Sequence, residues 1–198
     1  MKKAKRAARI PSSPRRRRTA NPHLTITLPD LVRSGEDIDF REMISLMYAT
    51  LGRLQTMRRT LAHSLGLGSA EFAVVMALLR IEDVSGVSIR RIADDLYVAA
   101  ANVTVTISKL EEMGWVIKSS DPTDSRALAI RLTPAARQRL SAFADRLHFV
   151  NDVWFQGTTR TELKAVVSFF RNLISQYEPA LSVAREFANV LDKDGPAG

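Results

Sequence analysis

The stretch that decides the fold is Ser88 to Arg137, "SIRRIADDLYVAAANVTVTISKLEEMGWVIKSSDPTDSRALAIRLTPAAR". Ser88 can cap a short helix over "IRRIADDLY". A second helix begins after Val98 and Ala99 and runs to about Glu112, where Gly114 is placed to end it. Val116 to Ser119 reads as a strand. The turn-rich "DPTDSR" (Asp121 to Arg126) follows, and Ala127 to Leu132 alternates as the returning strand. Thr133 then caps, and Pro134 opens, another helix. Helix, turn, helix, strand, loop, strand is the order of a winged helix-turn-helix.

Packing supports this order. Ile92 and Leu96 of the first short helix can share a small core with Val103, Ile107 and Leu110 of the second, and Ala93 permits close approach. At 100° per residue the second helix then turns Ala101, Thr104, Val105, Ser108 and Lys109 outward, with Asn102 and Thr106 at the flanks. Small, hydroxyl-bearing and amide side chains suit a major groove. Asn reads adenine, Ser and Thr bond bases or phosphates, and an aliphatic group meets a thymine methyl. A merely solvated face usually carries Lys and Glu instead.

Outward from this segment, Ile38, Met43, Ile44, Met47, Leu51, Leu54, Met57, Leu61 and Leu65 mark a long amphipathic helix broken by "GLGS". Ser69 can cap the next helix, "AEFAVVMALLRIED". The helix opened by Pro134 can run to about Phe155. Thr159 and Glu162 form a capping box for a last long helix with one wide apolar face, Leu163 to Tyr177. Pro179 is expected to stop or kink it, and Val183 to Leu191 to add a short helix.

Composition sets the outer bounds. The chain has 198 residues, 45% of them hydrophobic, enough for one domain with a core. It has no cysteine, which removes thiol chemistry, and its three histidines (His23, His63, His148) do not share metal-ligand spacing. No cofactor, metal or catalytic residue is expected. Phosphate-binding glycine loops, nucleophile elbows and His-Glu metal patterns are absent from the sequence. No apolar run is long enough to span a bilayer, so a cytoplasmic protein without membrane association is expected. The net charge of +8 is concentrated: residues 1–18 hold nine Lys or Arg and no acid, which leaves 20 basic against 21 acidic residues in the remainder. Residues 1–35 are therefore read as a disordered basic arm, suited to phosphate contacts, with a solubility tail, a wrongly chosen start codon or an acid-free targeting peptide as the alternatives.

The quoted stretch resembles the central segment of MarR-family transcriptional regulators. The resemblance is carried by Ile92-Ala93, Leu96, the Val103/Thr104/Ile107/Leu110 pattern, Gly114, the Asp124-x-Arg126 element and Leu132-Thr133, and extends over about Asp39 to Tyr177. It implies a mainly α fold with a small β-wing over 36–178, the DNA-binding part at 69–133 and dimerisation helices at 36–66 and 134–178. Residues 179–198 form a C-terminal extension. It further implies a homodimer on a palindromic operator, one recognition helix in each of two successive major grooves. The effector would be a small aromatic or phenolic acid, or its thioester. Release of a repressor is the expected action. An activator, or a winged-helix interaction module without an effector, is the alternative.

By the same resemblance Arg126 is the wing arginine of the minor groove, and Asp124 is close enough to orient it. Ser125 departs from the family, many members of which have a second basic residue there. Arg90, Arg91 and Lys118 are candidate phosphate contacts. From 85 to 133 six basic residues meet six acidic ones, so the arm is expected to supply the cations that the wing lacks. Candidate pocket residues are Arg53, Met57, Arg58, His63, Phe72, Met76 and Trp154, one or more cations among apolar walls.

Overall fold

The computed structural model describes residues 23–83, 85–120 and 128–193. Six α-helices and a three-stranded sheet follow in the expected order: α1 Ile38–Ser64, α2 Ser69–Ile81, β1 Val87–Ser88, α3 Ile89–Leu96, α4 Ala100–Glu112, β2 Val116–Ser120, β3 Leu128–Leu132, α5 Pro134–Trp154 and α6 Arg160–Lys193. The protein is mainly α with a small antiparallel sheet of order β1-β3-β2. The chain forms two compact units, residues 1–136 and 137–198.

In the first unit the core is the one the sequence periodicity requires. Ile92 and Ala93 of α3, Val103, Ile107 and Leu110 of α4, and Phe72, Val74, Val75, Ala77 and Leu78 of α2 are buried. Trp115, Val116, Ile130 and Leu132 close it from the sheet. Register pairs Val116 with Leu132 and Ser120 with Leu128. Ala129 and Ile130 are both buried although they point to opposite faces of β3. Ile130 faces the core, while Ala129 is small and sits between its register partners Ser88 on β1 and Ser119 on β2.

Local chemistry fixes the ends. The Ser88 hydroxyl accepts from the Arg91 amide at 3.2 Å and starts α3. Gly114, at φ +71°, ends α4, and the Trp115 amide reaches the Leu110 carbonyl at 2.8 Å as in a left-handed helix stop. The Thr133 hydroxyl accepts from the Ala136 amide at 3.0 Å and donates to the Gly114 carbonyl at 2.8 Å, so one side chain caps α5 and ties it to the end of α4. Thr159 and Glu162 make the reciprocal capping box of α6.

Three expectations change. Ser69 does not cap α2: Gly68 is the cap residue and no side chain bonds from that position. Residues 23–35, expected to belong to a disordered arm, are ordered. Pro29–Leu31 forms one 3₁₀ turn, and Arg33 pairs with Glu36 across Ser34 and Gly35, both at positive φ. Thr25 is fastened to the buried Asp37 carboxylate by its amide at 2.7 Å and its hydroxyl at 2.6 Å. These bonds, the hydroxyl's first, hold the Asp37 carboxyl below its ordinary range, and Arg41 adds an ion pair at 3.0 Å. Residues 1–22 lie outside the described residues.

In the second unit, Pro179 neither stops α6 nor opens a separate short helix. The helix continues through it to Lys193. Proline removes one backbone donor, that of residue 179 itself, and the 34-residue ladder tolerates the loss. Leu163, Val166, Phe170, Leu173, Ile174 and Tyr177 remain exposed along α6. In the first unit Ile38, Leu46, Leu51 and Leu54 of α1 are likewise exposed.

Gly86 offers a direct check on the β1–β3 contact. It sits at φ +87°, and a Cβ there would lie 2.9 Å from Arg131 Cγ and 3.2 Å from the Ile130 carbonyl oxygen. Gly86→Ala is expected to cost about 1–3 kcal/mol through backbone strain and crowding. Urea unfolding monitored by circular dichroism should show a lowered midpoint with an unchanged slope.

Candidate nucleic-acid interface

Helix α4 lies with one side in the core, so its other side is fixed by geometry. Val103, Ile107 and Leu110 are fully buried. Ala101, Asn102, Thr104, Val105 and Lys109 are exposed, and Ser108 is half-buried. Val105 is the extreme, at 72% exposure. The open N-terminal half, Ala100 to Val105, carries no acid, whereas Glu111 and Glu112 stand at the far end. That half is the part of such a helix that approaches base edges.

Thr106 stands at the flank of this face, as its position on the helix requires. It is half-buried and lines a cleft beside α4. The hydroxyls of Thr104 and Thr106 donate to the carbonyls of Ala100 and Asn102, at 3.0 and 2.9 Å. Their protons are spent on the helix, and their oxygens remain acceptors.

The candidate cations fall into two groups. Lys109 Nζ meets Glu71 Oε1 at 2.5 Å, and Lys118 Nζ lies 2.7 Å from Glu111 and 3.3 Å from the Ser108 hydroxyl. Both lysines thus tie α4 to its neighbours, α2 and β2. Arg90 and Arg91 at the start of α3 are exposed, with Arg91 3.9 Å from Asp83. Asp124, Ser125 and Arg126 lie outside the described residues.

Glu71 was not anticipated. It is buried in the first turn of α2, with its carboxylate close to the amides of Gly68 and Glu71. Gly68 leaves room for it: a Cβ there would meet Glu71 Oε2 at 2.3 Å and push the carboxylate aside. The only signal in the sequence is a glutamate three residues after the cap position.

A cleft of about 500 Å³ opens between α1, α2 and the α3–α4 turn. Arg58, Arg59 and Gln55 of α1 face Ser69, Ala70, Ala73 and Val74 of α2. Leu96, Val98, Val103, Asn102 and Thr106 complete it, so it reaches α4 itself. Of the candidate pocket residues, Arg58 lines this cleft, as does Arg59, the next cation of the same α1 run. Arg53, Met57, His63 and Met76 are not among its lining, and Phe72 is buried in the core. Trp154 belongs to the second unit, where it stacks at 5.3 Å on Phe155.

The Glu71–Lys109 pair has a pH signature. The Lys109 ammonium, and then the amides of Glu71 and Gly68, hold the Glu71 carboxyl below its ordinary value of 4.5 against the opposing effect of burial. A lowered folded value means that the stabilisation is complete above the unfolded value and is lost as pH falls through the folded one. Glu71→Gln is expected to cost about 1–3 kcal/mol at pH 7. In denaturation measured from pH 7 to pH 3, the gap between wild type and variant should close below about 4.5.

Comparison with known proteins agrees with this geometry. The MarR family model matches residues 73–128. No curated protein matches by sequence. Among solved structures, a MarR/EmrR-family regulator from Acinetobacter sp. ADP1 is similar at a TM-score of 0.59 and 20% identity, over 70% of this chain and 96% of that one. CouR from Rhodococcus jostii RHA1, solved with p-coumaroyl-CoA bound, gives 0.55 and 20%, over 67% and 88%. BpsR from Bordetella bronchiseptica, whose DNA binding is regulated by 6-hydroxynicotinic acid, gives 0.54 and 22%, over 65% and 90%. The MarR family model thus covers the chain from Ala73 within α2 to Leu128 at the start of β3, and the chain has the winged helix-turn-helix fold of those MarR-family structures.

Proposed function

We propose that the protein is a homodimeric, sequence-specific DNA-binding repressor that acts on palindromic operators in the cytoplasm and is released by a small aromatic or phenolic acid, or its thioester. The observation that carries this reading is the open, acid-free N-terminal half of α4, set on a buried core. Ala101, Asn102, Thr104, Val105 and Ser108 would face the major groove. Arg90 and Arg91 would meet phosphates, and Arg126, oriented by Asp124 beside Ser125, the minor groove. Lys109 and Lys118 hold α4 in place by their ion pairs and would contribute less to phosphate contact than the arginines.

The dimer is supported by the uncovered apolar faces of α1 and α6, larger than a lone soluble chain ordinarily leaves in water. A second copy with two-fold symmetry would cover them and repeat the recognition helix one DNA turn away. The effector is supported by the chemistry of the cleft, two arginines against Val74, Leu96, Val98 and Val103. The ligands of CouR and BpsR, p-coumaroyl-CoA and 6-hydroxynicotinic acid, are of that chemical kind. Because the cleft also touches Asn102 and Thr106, an occupant would bear on the recognition helix directly. It would act by binding one arrangement of that helix more tightly than another.

Selection from random duplex DNA with the full chain should enrich a palindrome, and sedimentation should report a dimer. No enriched sequence would sink the repressor reading in favour of a protein-interaction module. Aromatic acids and their thioesters should weaken operator binding, and Arg58→Ala should blunt that response about tenfold or more without altering binding in their absence. Removing residues 2–18 should lower affinity and flatten the salt dependence with sequence preference retained. An unchanged salt slope would exclude the arm from phosphate contact.

A further inference from the structure

Resting on the DNA-binding reading above, we propose that the open face of α4 reads thymine methyl groups, with Val105 as the specificity-determining side chain and Thr104 beside it. Val105 is the one large apolar side chain of α4 left open, 72% exposed on a helix whose other large apolar residues, Val103, Ile107 and Leu110, are buried. Ala101 and Thr104 are exposed beside it, with the half-buried Ser108 one turn on and the exposed Asn102 and Lys109 at the rim. This is a shallow patch of a few methyl groups, too small to seat a protein partner, but of the size of one pyrimidine methyl.

The hydrogen-bonding chemistry of the face points the same way. Guanine is read in the major groove chiefly by Arg or Lys on its O6 and N7. Helix α4 has no arginine, and its single lysine, Lys109, is held by Glu71 at 2.5 Å. Lys118, the nearest cation on β2, is held by Glu111 and Ser108. The hydroxyl proton of Thr104 is donated to the Ala100 carbonyl at 3.0 Å, so this side chain offers a base edge only a methyl group and an acceptor. Across the N-terminal half the amide of Asn102 is the one side-chain donor that remains among the described residues, and it suits adenine. Thymine is the base that presents a methyl in the major groove.

The test uses the full chain and the DNA that it selects. After enrichment from random duplexes, each thymine of the half-site is replaced in turn by deoxyuracil, which deletes the methyl and leaves every hydrogen-bonding group in place. At one or two positions the replacement should weaken wild-type binding about fourfold per methyl, compounded across the two half-sites. Val105→Ala, with its helical circular dichroism intact, should bind the dT and dU duplexes alike at such a position. Indifference of the wild type to every replacement would overturn the inference while leaving the DNA-binding reading standing. Full methyl sensitivity in Val105→Ala would remove Val105 from the role. Failure to enrich any sequence would overturn both readings.

Discussion

A helix can present a fixed set of side chains only if its opposite side is held, and in this protein that constraint falls on α4. Val103, Ile107 and Leu110 hold it from behind by burial. Burial is non-directional, however, and leaves a short helix free to roll and slide by small amounts. The directional restraints are the ion pairs at its two flanks, Lys109 to Glu71 on α2 and Lys118 to Glu111 toward β2. Exposed ion pairs contribute little to stability, but here one carboxylate is buried and anchored by backbone amides, so the pair defines a position. Cations that a charge count would assign to phosphate are thereby spent inside the molecule.

The same constraint explains why the fold was largely legible. Element order, the α3–α4 core and the ends of α3, α4 and α6 each follow from local rules of periodicity and capping that Ser88, Gly114, Thr133 and the Thr159–Glu162 box obey. What was not legible depends on tertiary placement. Ser69 is a good cap by propensity, but Glu71 reaches the site because Gly68 leaves room and Lys109 waits across the helix pair. Thr25 and Asp37 are twelve residues apart, beyond any local pattern, so the ordered segment ahead of α1 could not be read from composition. Pro179 marks a helix break in most local contexts, yet a long helix on either side carries it.

For the candidate site the outward face of α4 was legible because it is the complement of a core stripe. Thr106 falls at the flank as its helical angle requires, but its part in the cleft depends on what packs beside α4 and no local pattern shows it. The cleft was harder still. Its walls come from three separated parts of the chain, and the apolar residues that line it, Val74, Leu96, Val98 and Val103, are the same kinds that fill the core. Arg58 and its neighbour Arg59 could be picked out only as cations on α1, which the equally eligible Arg53, absent from the lining, also is.

Asn102 belongs to two surfaces at once: it stands on the exposed half of α4 and it lines the cleft. A side chain shared in this way cannot be optimised for one neighbour without consequence for the other. Any drift at this position alters the shape of the cavity and the pattern shown outside it together. Divergence of such a protein toward a new small molecule and toward a new set of genes would therefore be linked at a single codon.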